Sequence, residues 1–172
     1  MVYALVRQES RFDPYAMSGA GAVGLMQLMP VAAARAAGDD KLLADTSPLL
    51  DPSFNLRVGQ DYFTWLMDRG LQSPDILRAV AAYNGGPGTL NKAVAQLGAD
   101  CDSLLLIESL PAPETRNYVE KVMASYWTYR RLMGAETKTL DAVASGARLV
   151  DFRLDSQIQQ PTSIDQLVAT LQ

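Results

Sequence analysis

The sequence predicts an all-α protein, and three observations carry that prediction. Apolar residues return at every third or fourth position through most of the chain. Helix starts are marked by a capping residue or a proline, and helix ends by glycine. Up to about residue 134 no stretch alternates apolar and polar residues with period two. With 172 residues and 48% hydrophobic content, the chain is long enough for one domain with a real core. The helical segments differ in length, so mixed crossing angles are expected rather than a regular bundle.

The first segment puts Val2, Leu5 and Val6 on one face, and the next position on that face is Glu9. Two readings stand open: the helix ends there and Glu9 reaches water, or the carboxyl is buried and keeps its proton because burial disfavours the charged form. The pattern is already under way at Val2 without a capping residue, which is expected of a piece of a longer chain. RFDPYAMSGAGAVGLMQLMP then reads as a structured loop, with Asp13 capping a DP turn and Gly19, Gly21 and Gly24 supplying unusual backbone geometry. Pro30 opens a short helix through Ala37 that Gly38 closes.

Asp51 and Pro52 start a longer helix whose stripe is Phe54, Val58, Tyr62, Trp65 and Leu66, ending at Gly70. Ser73 and Pro74 are expected to repeat that start for a helix reaching Tyr83, and NGGPG, residues 84–88, to form a tight turn. A helix over 89–97 stops at Gly98, and a further segment over 103–110 is broken by Pro111 and Pro113. The stripe Tyr118, Val122, Tyr126, Trp127 and Arg130 marks a long helix over 114–133, closed by Gly134. Residues 135–172 are more polar and read as a C-terminal extension that wraps the domain or is partly mobile. A short strand at 148–154 and a capped helix after Ser163 are predicted within it.

Lys and Arg number 15 against 19 Asp and Glu, giving a net charge of -4. That balance offers no overall basic footprint for nucleic acid. No apolar run approaches the roughly 18 residues that a membrane span requires, and no secretory leader pattern opens the chain. There is no histidine and a single cysteine, Cys101. An internal disulfide, the usual zinc sites and Ser-His or Cys-His catalysis are thereby excluded. Acid–base chemistry falls to carboxylates, tyrosines, lysines or the thiol.

Four segments in order, RQESRFDP, SGAGAVGLMQLMP, AAYNGGPG and ESLPAPETRNYV, closely resemble the catalytic domain of bacterial soluble lytic transglycosylases. That domain shares the lysozyme-like fold of goose-type lysozymes. The resemblance covers residues 1–133, implying a lytic transglycosylase domain at 1–134 followed by the 135–172 extension. It implies cleavage of the β-1,4 bond between N-acetylmuramic acid and N-acetylglucosamine in peptidoglycan, with the new end closing as a 1,6-anhydro sugar. The glutamate of the ES pair, here Glu9, would act as acid and then as base, and no metal or organic cofactor would be required. Glycan strands would be the partner, other cell-wall enzymes further ones, and the periplasm or cell envelope the location.

By the same resemblance Ser18 touches the acid or the substrate's N-acetyl group, with loop hydrogen bonding as its alternative role. Gln27 contacts sugar groups, Met29 lines the cleft floor, and Gly24 lets the loop approach the glycan. Tyr83 aims its hydroxyl at the acid, and Asn84 braces the turn or bonds the substrate. Glu108 binds peptide or sugar groups, or else serves as a cap or pairs with Arg116, and Tyr118 lines the cleft. Leu25, Met26 and Tyr126 read as packing, Glu114 as a first-turn residue, and Cys101 as a small residue with no chemical role. A goose-type hydrolase on the same fold, a peptidoglycan-binding module that has lost catalysis, and a helical interaction protein are the alternatives.

Overall fold

The computed structural model describes residues 1–156. The helix expected after Ser163 lies outside them. Among the described residues eight α-helices run in order: α1 (Val2–Glu9), α2 (Pro30–Ala37), α3 (Pro52–Trp65), α4 (Ile76–Gly85), α5 (Pro87–Leu97), α6 (Ser103–Glu108), α7 (Pro113–Leu132) and α8 (Lys138–Ala144). Short 3-10 turns fill Asp40–Leu43, Ser47–Leu50 and Phe152–Asp155, and the end of α3 widens into a π turn over Leu66–Gly70. Among the described residues β-pairing is confined to isolated bridges at Met17–Val23, Val23–Leu28 and Asp75–Asp151. The all-α prediction holds.

Helix α4 runs through the middle. Every residue from Ile76 to Ala82 is buried, and a helix apolar on all sides needs neighbours on all sides. Helices α5, α6 and α7 provide them, and α1 lies against α7. The two ends of α4 differ from expectation in informative ways. Asp75, not Ser73, is the N-cap, accepting from the Arg78 amide at 2.8 Å, while the Asp75 amide donates to Ser73 Oγ at 3.3 Å. Asp75 wins because the fold also needs its other oxygen, which accepts from Ser103 Oγ at 3.0 Å and from the Val150 amide at 2.5 Å. At the far end α4 continues through Gly85, and Gly86 alone, with φ of +79°, makes the turn before Pro87 opens α5.

The expected strand at 148–154 does not form. This stretch meets only the loop at the start of α4: Ile76 donates to the Val150 carbonyl and Phe152 to the Pro74 carbonyl, both at 2.9 Å. One bridge therefore forms, and the chain turns into the 3-10 segment. Asp155 is buried there and accepts from Tyr126 Oη at 2.9 Å and from Thr139 Oγ at 2.5 Å, while Thr139 in turn accepts from the Trp127 indole at 2.9 Å. These bonds tie residues 138–156 to α7, whose Tyr126 packs as expected.

The loop between α1 and α2 is fixed by a residue on α3. Val23 and Leu28 bond each other in both directions, at 3.1 and 3.0 Å, and push Gly24 to Gln27 out as a short finger. Asn55, 0% exposed, holds that finger: its Oδ1 accepts from the Met26 amide at 2.8 Å, and its Nδ2 donates to the carbonyls of Val23 and Leu49, both at 2.9 Å. Every polar atom of a buried amide is thereby used. Gly24 has φ of +78°, and a Cβ there would sit 2.3 Å from Asn55 Nδ2 and 2.5 Å from the Leu49 carbonyl. Its freedom serves the close approach to α3. Gly59, one turn along α3, leaves space for Met26, whose Sδ would lie 2.3 Å from a Cβ at that position. Gly24→Ala combines positive-φ strain with a backbone clash and is expected to destabilise the protein by about 3 kcal/mol. Urea unfolding checks it, and a change under about 1 kcal/mol would contradict this role for the glycine.

Candidate functional site

Helix α1 ends at Glu9, where the Ser10 amide closes back on the Val6 carbonyl at 3.1 Å. Arg11 and Phe12, at φ of +54° and +69°, then turn the chain away sharply, an uncommon conformation for two successive residues with side chains. Asp13 steadies the turn by accepting from the Tyr15 amide at 2.9 Å, as the DP pattern suggests. The consequence is that Glu9 stays on the stripe of Leu5 and Val6, facing α7, instead of fraying into water.

Tyr118, in the second turn of α7 and 5% exposed, meets it there and donates its hydroxyl to Glu9 Oε1 at 2.5 Å. Burial raises the Glu9 carboxyl from its ordinary value to about 7, and the hydrogen bond from Tyr118 opposes that push. Both nearby phenols are held well above the usual tyrosine range: Tyr118 by burial, then by the charge of Glu9, and Tyr83 likewise. Near neutral pH they remain neutral hydrogen-bond donors around an acid that is protonated part of the time.

The resemblance had aimed Tyr83 at the acid and put Tyr118 on the cleft wall. In the structure Tyr118 bonds the acid, while Tyr83 donates to the Met26 carbonyl at 2.8 Å. Tyr83 thus joins the end of α4 to the finger that Asn55 holds. Gln27, at φ of +45°, donates its amide to the carbonyls of Ala16 and Gly24, at 3.0 and 2.9 Å. Asn84 Oδ1 accepts from Thr115 Oγ at 2.8 Å, which braces the turn. Gln27, Met29, Tyr83 and Asn84 line one cavity of about 280 Å³.

Ser18 accepts from the Ala22 amide at 2.9 Å, the loop role that stood as its alternative. Glu108 is exposed at the end of α6, and the Arg116 guanidinium donates to the Leu110 carbonyl instead of pairing with it. Cys101 is buried, and Arg78 donates to its carbonyl at 2.6 Å and to its sulfur at 3.3 Å. Among the described residues no three metal-ligating side chains cluster, and no helix is long and apolar enough to cross a membrane.

Sequence reasoning missed Asn55 and Gly59. The signal was present, because both lie on the buried face of α3 with Val58, Tyr62 and Phe63, and an amide on an apolar stripe calls for specific partners.

This arrangement has parallels in known proteins. The soluble lytic murein transglycosylase of Escherichia coli (strain K12) is 34% identical over 147 residues, which are 84% of this chain and 22% of that protein. The membrane-bound lytic murein transglycosylase C of Actinobacillus succinogenes is 30% identical over 152 residues, 77% of this chain and 42% of that protein. Among solved structures, the 70 kDa soluble lytic transglycosylase of Escherichia coli superposes with a TM-score of 0.67 at 34% identity, covering 77% of this chain and 22% of that one. An inactive glutamate-to-glutamine mutant of the lytic transglycosylase Slt from Pseudomonas aeruginosa gives 0.67 at 33% identity, covering 79% and 22%. The fold is thus the lysozyme-like one of those enzymes, and the chain spans about a fifth of the length of its soluble relatives. Residues 1–105 match the family described as the Transglycosylase SLT domain, and the chain belongs to that family.

Proposed function

We propose that the chain cleaves the β-1,4 bond between N-acetylmuramic acid and N-acetylglucosamine in peptidoglycan, leaving 1,6-anhydromuramic acid ends, with Glu9 as its single acid–base. The observation that carries this reading is the Glu9 carboxyl, shielded between α1 and α7, bonded by Tyr118 and raised to about 7. Such an acid gives its proton to the bridging oxygen as the bond to C1 breaks, and the substrate's N-acetyl group stabilises the cationic centre. The carboxylate left behind then takes the proton of the sugar's 6-hydroxyl as that oxygen bonds C1. Glu9 ends protonated, as it began, and no water enters the product.

A nucleophile on the same sugar is already in place, so a second carboxylate is not needed. Hydrolysis would call for one, about 5 Å away for retention or farther off for inversion. Among the described residues, the influences on Glu9 are burial and the Tyr118 phenol, with no carboxylate, which favours the intramolecular route. The inactive glutamate-to-glutamine mutant of the Pseudomonas relative supports placing the chemistry on a glutamate. Under this reading residues 1–134 form the catalytic domain and 135–172 an extension. Ser18, Gln27, Met29, Tyr83, Asn84, Glu108 and Tyr118 contact the strand or shape its cleft. The enzyme works in the periplasm or cell envelope on glycan strands, alongside other cell-wall enzymes.

Glu9→Gln is expected to lower release of anhydro-ended muropeptides from purified sacculi at least a hundredfold while the circular dichroism spectrum stays unchanged. Mass spectrometry decides the reaction type, because hydrolysis products would be heavier by one water. The raised acid also fixes a pH dependence of stability. Its folded-state value of about 7 lies above the ordinary value of 4.5, so the neutral form favours folding, and stability falls as pH rises from about 4.5 through about 7. Glu9→Gln should remove this loss, making the variant more stable than the parent by about 2 kcal/mol at pH 8 and equally stable at pH 4, read by thermal melts. Tyr118→Phe deletes the donor that opposes burial. The alkaline limb of the activity profile, where Glu9 loses the proton it must donate, should move to higher pH.

A further inference from the structure

The cavity beside the site carries a charge that its own walls leave unanswered. Besides Gln27, Met29, Tyr83 and Asn84 it is lined by Tyr62 and Arg35, and among the described residues no Asp or Glu lines it. Within a chain of net charge -4, this hollow presents a cation alone. Among the described residues the Arg35 guanidinium has no carboxylate partner. It lies instead 4.6 Å over the ring of Trp65, which stacks on Tyr62 with centroids 5.9 Å apart and planes 6° from parallel. Its charge reaches the Tyr62 hydroxyl, where it opposes the upward push of burial.

Stacking of this kind uses the face of the guanidinium and leaves the N–H groups along its edge free. An arginine so held has lost part of its rotamer freedom before any ligand arrives, which favours a planar, two-oxygen anion. Arg35 stands in the last turn of α2, and Met29 is the N-cap of the same helix. A ligand lying along Gln27, Met29 and Tyr83 therefore reaches Arg35 without leaving the cavity. The sugar backbone of a glycan strand is uncharged, whereas the peptides it bears have free carboxylates.

We propose that Arg35 is a specificity-determining residue that receives a carboxylate of the peptide branch on the glycan strand. This rests on the function proposed above. The test uses the Glu9→Gln protein, so that fragments bind without turnover, and soluble tetrasaccharide-peptide fragments of peptidoglycan. One portion keeps its carboxylates, and a second has them converted to carboxamides with carbodiimide and ammonia. The Glu9→Gln protein is expected to bind the free-acid fragment roughly tenfold more tightly than the amide. Adding Arg35→Gln should bring that ratio near one, and adding Arg35→Lys should keep part of it. An unchanged ratio in the Arg35→Gln protein, or no preference in the Glu9→Gln protein, would overturn the role of Arg35 while leaving the proposed function standing. A fragment stripped of peptide, whose remaining carboxylate is the lactyl one, serves as a third arm: Arg35-dependent binding as tight as the intact fragment would overturn the peptide assignment. Failure of every fragment to bind would overturn the proposed function and this inference with it.

Discussion

A carboxyl drawn out of water and met by one phenol is the constraint around which the site is arranged. Glu9 stays there because α1 stops abruptly: two left-handed residues, Arg11 and Phe12, carry the chain away before the last turn can unwind. Tyr118 is held because α7 lies along α1 and packs against the buried α4. Loss of either support would give Glu9 back to solvent and return its proton affinity toward that of an ordinary glutamate. Local backbone strain and long-range packing therefore converge on the state of a single proton.

The glycine-rich finger depends on a second, separate lock. Asn55 satisfies three backbone groups at once, and neither Gly24 nor Gly59 has room for a Cβ beside it or beside Met26. Helix and loop are matched in shape, so neither explains its glycines alone. Tyr83 joins this lock to the C-terminal end of α4 through the Met26 carbonyl. Gln27 and Met29 thus inherit their placement from α3, through the bonds Asn55 makes to the finger.

Helices were legible wherever cap, proline and apolar stripe agreed, as at Asp51–Pro52 and along α7. At the start of α4 the local signal of Ser73 and Pro74 misplaced the cap, which is Asp75. The choice was made by Ser103 and Val150, which are distant in sequence. Residues 148–154 looked like a strand because their composition suits one, but only a short loop lies beside them. Within the site, Glu9 was legible as a carboxylate on an apolar stripe. Which tyrosine bonds it was not, because Tyr83 and Tyr118 differ in partner and not in kind. Asn55 could have been found by asking what an amide does on a buried face.

Helix α4 is tied down at both ends, and the ties are of different kinds. At its beginning, the 1%-exposed Asp75 takes a hydrogen bond from Val150, far along the chain. Its final turns carry Tyr83 and Asn84, which reach the finger and α7. A protease cut between Gly146 and Val150 would leave that carboxylate short of a donor in a place water reaches poorly. The rod would then loosen at the end remote from Tyr83 and Asn84, through a nick that touches neither of them.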